Sequence, residues 1–207
     1  MREEENLMKN LRVLCFLAAM VFATGALGQA AAKPAPTPAP APSIGGVIDR
    51  EISLLEREFV SAAEAMPDDK FNFAPGSLNI NGSEYKGVKT FAEEVRHVAA
   101  TNFELWSPVT GDKPPIETTE DNGPPQLKTK AEIIKYLKDS FAFGHKAAQS
   151  LTSESAALTL IPNPFGQGQT TKLFCTSFAV AHAFDHYGQM VEYLRMNGII
   201  PPASRGN

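Results

Sequence analysis

The chain has 207 residues, of which 43% are hydrophobic and 20% are charged, and its formal net charge is -4. This length and composition are those of one globular domain with short appendages. The net negative charge, with lysines and arginines scattered along the chain, argues against a nucleic-acid-binding protein, which would present a basic face.

The first thirty residues have the pattern of a secretory signal peptide. Lys9 and Arg12 precede an apolar run from Val13 to Ala23, and small residues follow it. A basic segment, an apolar segment and small residues in this order are typical of a cleaved signal. The apolar run is too short to stay in a bilayer as an anchor. We therefore expect a signal peptide over residues 1–29, export to the periplasm or the extracellular space, and no stable membrane insertion after cleavage.

The next segment, residues 30–43, is rich in proline and alanine and contains the sequence KPAPTPAPAP. Such a sequence forms an extended spacer because it has no side chains with which to build a core. We predict a linker over residues 30–43 and a folded domain over residues 44–204. After signal cleavage the chain keeps one cysteine, Cys175, so no internal disulfide can form and the core must supply most of the stability.

Four stretches with helical periodicity follow the linker. Capping boxes, in which a threonine is followed three residues later by a glutamate, open the second and third. Prolines or a glycine end the others. The predicted helices run from Ser43 to Met66, from Thr90 to the residue before Pro108, from Thr129 to about Leu151, and from Thr171 to the residue before Gly198.

Long loops are predicted between these helices. The segments from Val109 to Leu127 and from Thr152 to Gln169 are rich in proline and glycine, and the first is expected to be mobile or to act as a lid. Four amphipathic helices joined by loops predict an all-α protein, a four-helix bundle whose core is made by facing apolar stripes. The long loops leave room for a non-sequential helix order.

Two histidines in the last predicted helix are the first candidates for a functional site. His182 and His186 are one turn apart and Gln189 lies three residues further, so the three side chains share one helix face. Buried imidazoles need polar partners, and a divalent metal would serve both. However, two histidines at this spacing also occur by chance, and the glutamate of the zinc-protease motif HExxH is absent.

A third histidine strengthens the metal hypothesis. His97 lies on the second predicted helix among apolar neighbours and can face the pair across the bundle. Three neutral imidazoles with open positions would suit Zn²⁺ or Ni²⁺, and such an ion can activate water or a thiolate as a nucleophile. Gln189 is then a candidate for orienting the water or a substrate. Asp185 either accepts a hydrogen bond from an imidazole or lies at the surface.

Two further side chains are not expected to take part. His145 lies beside Lys146 on the third predicted helix, and we interpret it as peripheral. Cys175 shares the face of His182, but seven residues separate the two, which is about 10.5 Å along a helix. This distance is too long for both side chains to bind one ion, so Cys175 is predicted to pack in the core.

Three stretches of the sequence support a family assignment: MPDDKF at 66–71, TFAEEVRHVA at 90–99, and HAFDHYGQ at 182–189 followed by YLRMNGI at 193–199. With these motifs the chain resembles the DinB-like (damage-inducible) metalloprotein superfamily over about residues 44–204. The resemblance implies a four-helix bundle with a metal site at His97, His182 and His186. It also implies that homodimers are frequent and that the protein does not bind DNA.

Characterised members of this superfamily include thiol-dependent transferases and isomerases. Their low-molecular-weight thiols are mainly cytoplasmic, whereas the present chain has the sequence of an exported protein, so the reaction class stays open. The first hypothesis is an exported metal-dependent hydrolase or thiol transferase acting on a small-molecule substrate. The alternative is a non-catalytic helical bundle that binds a metal or another ligand. A third possibility is that the three histidines do not meet.

Overall fold

The computed structural model describes residues 41–206, so the predicted signal peptide and most of the predicted linker lie outside the described part. Within it, no helix is both long enough and apolar enough to cross a bilayer. The helices are α1 (Ile44–Ala65), α2 (Phe91–Thr110), α3 (Lys130–Gln149), α4 (Glu154–Ala157) and α5 (Lys172–Met196), and the strands are β1 (Leu160–Pro162) and β2 (Gln169–Thr171). Short 3₁₀ turns cover Asp68–Lys70, Pro75–Leu78 and Pro202–Ser204.

The four long helices form a bundle, which confirms the predicted all-α fold. Helix α1 packs against α3 and α5, and α2 packs against the same two helices. The consecutive helices α1 and α2 therefore face each other across a diagonal, and the order is non-sequential. The core between them is continuous and contains large, fully buried side chains such as Phe59, Phe103, Trp106 and Phe141.

The ends of the helices follow the sequence signals at most positions. Both predicted capping boxes are present, with Thr90 paired to Glu93 and Thr129 paired to Glu132. Helix α5 ends in a Schellman motif, in which Gly198 has a φ of 74° and the N–H of Ile199 donates to the carbonyl of Leu194. Each cap supplies partners for backbone groups that a helix end leaves without one.

One predicted helix end and one predicted loop were wrong. Helix α2 does not end before Pro108 but continues to Thr110. Gly111 follows as its C-terminal cap, with a left-handed backbone and a φ of 80°. A proline in the last turn removes only one backbone hydrogen bond, whereas a left-handed glycine ends the helix. The segment from Thr152 to Gln169 is not wholly a loop, because it contains α4 and β1, and β1 pairs with β2 as an antiparallel hairpin.

Helices α2 and α3 approach each other closely at a glycine. A Cβ atom on Gly144 would lie 2.7 Å from two atoms of the Trp106 ring, which is closer than real Cβ contacts. The indole is fully buried, so it has little room to shift. Gly188 on α5 differs, since a Cβ there would meet no atom within 4 Å.

Candidate metal centre

The three predicted histidines meet at the contact between α2 and α5. The Nε2 atom of His182 lies 3.1 Å from Nε2 of His97 and 3.1 Å from Nε2 of His186. All three candidate ligand atoms lie within 4.8 Å of one another. The side chains are largely covered, with 14% of His97 and 12% of His186 exposed. The hypothesis that the histidines never meet is therefore wrong.

The partners of the outer ring nitrogens fix which nitrogen carries the proton. Nδ1 of His97 donates to the backbone carbonyl of Asp121, and Nδ1 of His186 donates to the carboxylate of Glu94 at 2.5 Å. A carbonyl or carboxylate oxygen only accepts, so the proton is on Nδ1 in both rings. Both Nε2 atoms then direct a lone pair toward the centre of the group.

The third ring, His182, is the most strongly perturbed. Burial lowers its pKa to about 4, and the neighbouring His186 and His97 imidazoles contribute in the same direction. Burial, followed by the charge of His186, also lowers the pKa of His97 below its ordinary value, against the effect of its bond to Asp121. Near neutral pH both rings are therefore neutral, which is the form that binds metals.

The geometry of the three nitrogens fits one metal ion. With metal–nitrogen bonds of about 2.0 to 2.1 Å and tetrahedral angles, two histidine nitrogens on one ion lie about 3.3 Å apart. The two Nε2–Nε2 distances of 3.1 Å are close to this value. Nδ1 of His182 is buried without a hydrogen-bond partner among the described residues. With its proton there, this ring directs a third lone pair to the same point, and the group could hold a metal ion.

Two residues that the sequence analysis missed orient these ligands. Glu94 on α2 is 1% exposed and accepts the hydrogen bond from His186. Asp121, in the loop after α2, supplies the carbonyl for His97 and forms an ion pair with Lys89. Partners of this kind fix the orientation of a ligand ring and raise its basicity. The spacing of Glu94, three residues before His97 on one helix face, was a usable signal, whereas nothing near Asp121 in the sequence indicated its role.

The predicted catalytic residues lie beside the three histidines but do not bond to them. Gln189 donates to the carboxylate of Asp185 at 3.2 Å, and no hydrogen bond joins either side chain to an imidazole within residues 41–206. Asp185 is exposed, although its charge acts on His182. The roles proposed for these two residues in orienting water, substrate or an imidazole stay predictions.

The remaining candidates lie elsewhere. Cys175 is fully buried in the core as expected, and burial raises the pKa of its thiol. His145 on α3 bridges two carboxylates of α1, with its Nδ1 2.7 Å from Asp49 and its Nε2 3.1 Å from Glu56. Both ring nitrogens of His145 are thus bonded to α1, so His145 links α3 to α1 and takes no part in the three-histidine group.

A cleft with a volume of about 780 Å³ begins at His97 and runs along α2 toward its C-terminal end. Its floor is the outer face of α2, one side is formed by Tyr136 of α3, and residues 111–121 of the following loop form the other side. This volume lies within the range of pockets that bind small molecules. Of the three histidines, His97 is the one that lines this cleft, so the cleft adjoins the group at α2 and a ligand could lie there.

The fold and the site together define a class: a four-helix bundle with a group of three histidines that could hold a metal ion. Comparison with protein families gives the same result, because the model of the DinB superfamily matches residues 51–190. The chain belongs to the DinB superfamily. None of the curated proteins compared with the chain matches it.

Proposed function

We propose that the protein is an exported metal-dependent enzyme that hydrolyses a small-molecule substrate at the three-histidine centre. The observation that supports this most directly is that three Nε2 atoms converge and that one of the three histidines, His97, also lines a cleft large enough for a substrate. Export is supported by the first thirty residues, in which a basic segment is followed by an apolar segment and then by small residues. Membership of a family with frequent homodimers supports a dimer as the working unit.

The donor set indicates which metal the site would take. Three neutral imidazoles without a thiolate or a carboxylate ligand suit Zn²⁺ or Ni²⁺, since ions such as Mg²⁺ and Ca²⁺ prefer oxygen ligands. His97, His182 and His186 would hold the ion. When bound, such an ion supplies Lewis-acid chemistry: it polarises a carbonyl and lowers the pKa of water.

Polar groups of the chain orient the histidines and cover the site. Glu94 and the carbonyl of Asp121 keep His186 and His97 in the tautomer that leaves Nε2 free. The loop that carries Asp121 also lines the cleft, so it separates the site from bulk solvent on that side. Gln189 and Asp185, which are hydrogen-bonded to each other on α5, would orient the polar end of a substrate.

Hydrolysis is preferred to thiol transfer because low-molecular-weight thiols are mainly cytoplasmic, whereas the first thirty residues have the order typical of an exported protein. Among the described residues the one thiol, that of Cys175, is fully buried, so a reacting thiol would have to come from such a compound. Thiol transfer nevertheless gives a distinct result: turnover would depend on an added low-molecular-weight thiol, whereas hydrolysis would proceed in its absence.

Metal content and turnover test the proposal together. Mass spectrometry of the protein purified without a histidine tag should find about one Zn²⁺ or Ni²⁺ per chain, and His182→Ala should lose it while the bundle still folds. His145→Gln is the matched control, since it removes a histidine outside the group. A His182→Ala protein that keeps a full equivalent would refute the site. A metal-loaded protein inactive on ester, amide and thiol-conjugate panels would favour the non-catalytic binding function.

A further inference from the structure

The lining of the cleft beside His97 is strongly acidic. It contains five carboxylates and a single lysine, Lys113. Two of the carboxylates are neutralised from outside the cleft, Asp112 by Lys146 and Asp121 by Lys89. The other three, Glu104, Glu117 and Glu120, have no ion-pair partner among the described residues. The cleft therefore has an excess of negative charge that a cationic ligand would balance.

Glu104 is the carboxylate best placed to recognise such a ligand. It lies seven residues after His97 on the same helix, so the two side chains are about 10.5 Å apart along the axis and about 20° apart around it. Thr101, which is 8% exposed, lies between them on the floor of the cleft. Glu104 is exposed, although its neighbours partly cover it and this partial burial raises the pKa of its carboxyl above the ordinary value. It is therefore accessible to a cation that enters the cleft.

A buried hydroxyl provides an independent sign of a ligand. Tyr136 lines the cleft and is 3% exposed, and its hydroxyl has no hydrogen-bond partner in the described part of the chain. The ring packs against Phe103 with the centroids 5.0 Å apart, so the hydroxyl is held in place. The hydroxyl of Ser107, also in the lining, is unpartnered in the same way. Buried hydroxyls without partners are unfavourable, and a polar ligand in the cleft would satisfy them.

We propose that the cleft binds a small organic cation, an amine whose ammonium group pairs with Glu104 and whose other end carries the metal-binding donor that reaches the three-histidine centre. The apolar middle of this ligand lies against Ala100, Phe103 and Ile116 in the lining. This assignment rests on the proposed function, because the second anchor of the ligand is the metal. It adds the substrate class: a molecule with an amine at one end and a hydrolysable polar group at the other.

Two hydroxamates that differ only in an amine test this inference. Hexanohydroxamic acid offers a metal-binding group and an apolar chain, and 6-aminohexanohydroxamic acid adds a terminal ammonium. Calorimetric titration of the zinc-loaded full chain should show that the amine derivative binds about three- to fivefold more tightly, as expected for an ion pair with an exposed carboxylate. In Glu104→Gln the two affinities should become equal, with that of the plain hydroxamate unchanged. Glu192→Gln, at an exposed position of α5 outside the cleft lining, is the control.

The outcomes separate this inference from the proposed function. Equal affinities in the wild-type protein, or an amine preference that persists in Glu104→Gln, would overturn the cation assignment and leave the metal centre standing. Absence of binding by both hydroxamates to the zinc-loaded chain would show that the ion cannot be reached from the cleft and would overturn the cation assignment, whereas the metal content of the purified protein tests the metal centre separately. Tyr136→Phe should bind the amine derivative several-fold more weakly and the plain hydroxamate as tightly as before, because only the ammonium offers the hydroxyl a polar partner, and the unliganded protein should lose no stability. An unchanged affinity for the amine derivative would count against an ammonium group in this part of the cleft.

Discussion

Replacing Glu94 with glutamine tests whether the buried carboxylate sustains the metal centre. Glu94 is 1% exposed, and its carboxylate accepts the Nδ1–H of His186. Glutamine keeps the shape of the side chain and an oxygen that can still accept this bond. It removes the negative charge that makes the imidazole a stronger donor toward a cation. The change therefore isolates the charge from the packing.

The expected magnitude follows from the position of the carboxylate. Loss of such a partner lowers metal affinity by about 10- to 100-fold, which is about 1.4 to 2.7 kcal/mol of binding free energy. The upper part of this range applies here, because His186 and Glu94 are both shielded from water, with 12% and 2% of their side chains exposed. Interactions between charges are screened less in such a place than at the surface.

The assay is a competition titration of Zn²⁺ between the metal-free protein and a chromophoric chelator. Asp185→Asn is the matched control, because it also removes one carboxylate near the histidines, but an exposed one with no hydrogen bond to an imidazole. We expect it to change the affinity by less than about threefold, as for other exposed charges. If Glu94→Gln and Asp185→Asn weaken binding equally, the orienting role of Glu94 is wrong. Thermal unfolding of both metal-free variants would show whether either change acts through the fold.

Two further predictions concern the bundle itself. The Gly144→Ala variant should lose about 1 to 3 kcal/mol of unfolding free energy in urea titrations, because its Cβ would collide with the Trp106 ring. Gly188→Ala is the control and should be neutral or stabilising, because the space around Gly188 is open. Equal effects of the two substitutions would refute the packing argument. Burial alone would lower the pKa of His145, but its hydrogen bonds to Asp49 and Glu56 raise it overall. The contribution of His145 to stability is therefore complete below about pH 6.5 and is lost as the pH rises through the raised pKa of the folded state. Measuring the unfolding free energy of the metal-free protein on both sides of this pH range should show the loss. The variant His145→Gln should lack that part of the pH dependence.

The sequence alone predicted the parts of the fold that local chemistry determines. Ser43, Thr90, Thr129 and Gly198 act as caps within a few residues, so their patterns are visible without knowledge of the tertiary structure. The short helix α4 and the strands of the hairpin were missed because three or four residues are too few to show a period.

The candidate site was predictable only in part, for a related reason. His182 and His186 share a helix face that spacing alone reveals, and His97 had apolar neighbours that placed it inward. The role of Glu94 depends on which face of α2 meets α5, and Asp121 contributes a backbone carbonyl, a group that every residue possesses. A contact made by the main chain of a loop leaves no mark on residue type, so it could not be found from the sequence.

The separation of the three histidines along the chain also determines when a metal ion could enter during assembly of the domain. His97 and His182 are 85 residues apart in the chain, and all of α3 lies between them. The full ligand set therefore exists only after α5 has docked on α2, a long-range step that the apolar core can drive without an ion. A nascent chain offers at most the two imidazoles of α5, whereas the finished bundle offers three. Metal loading would thus be a late event, and scarcity of the metal would leave a folded, empty protein rather than an unfolded one.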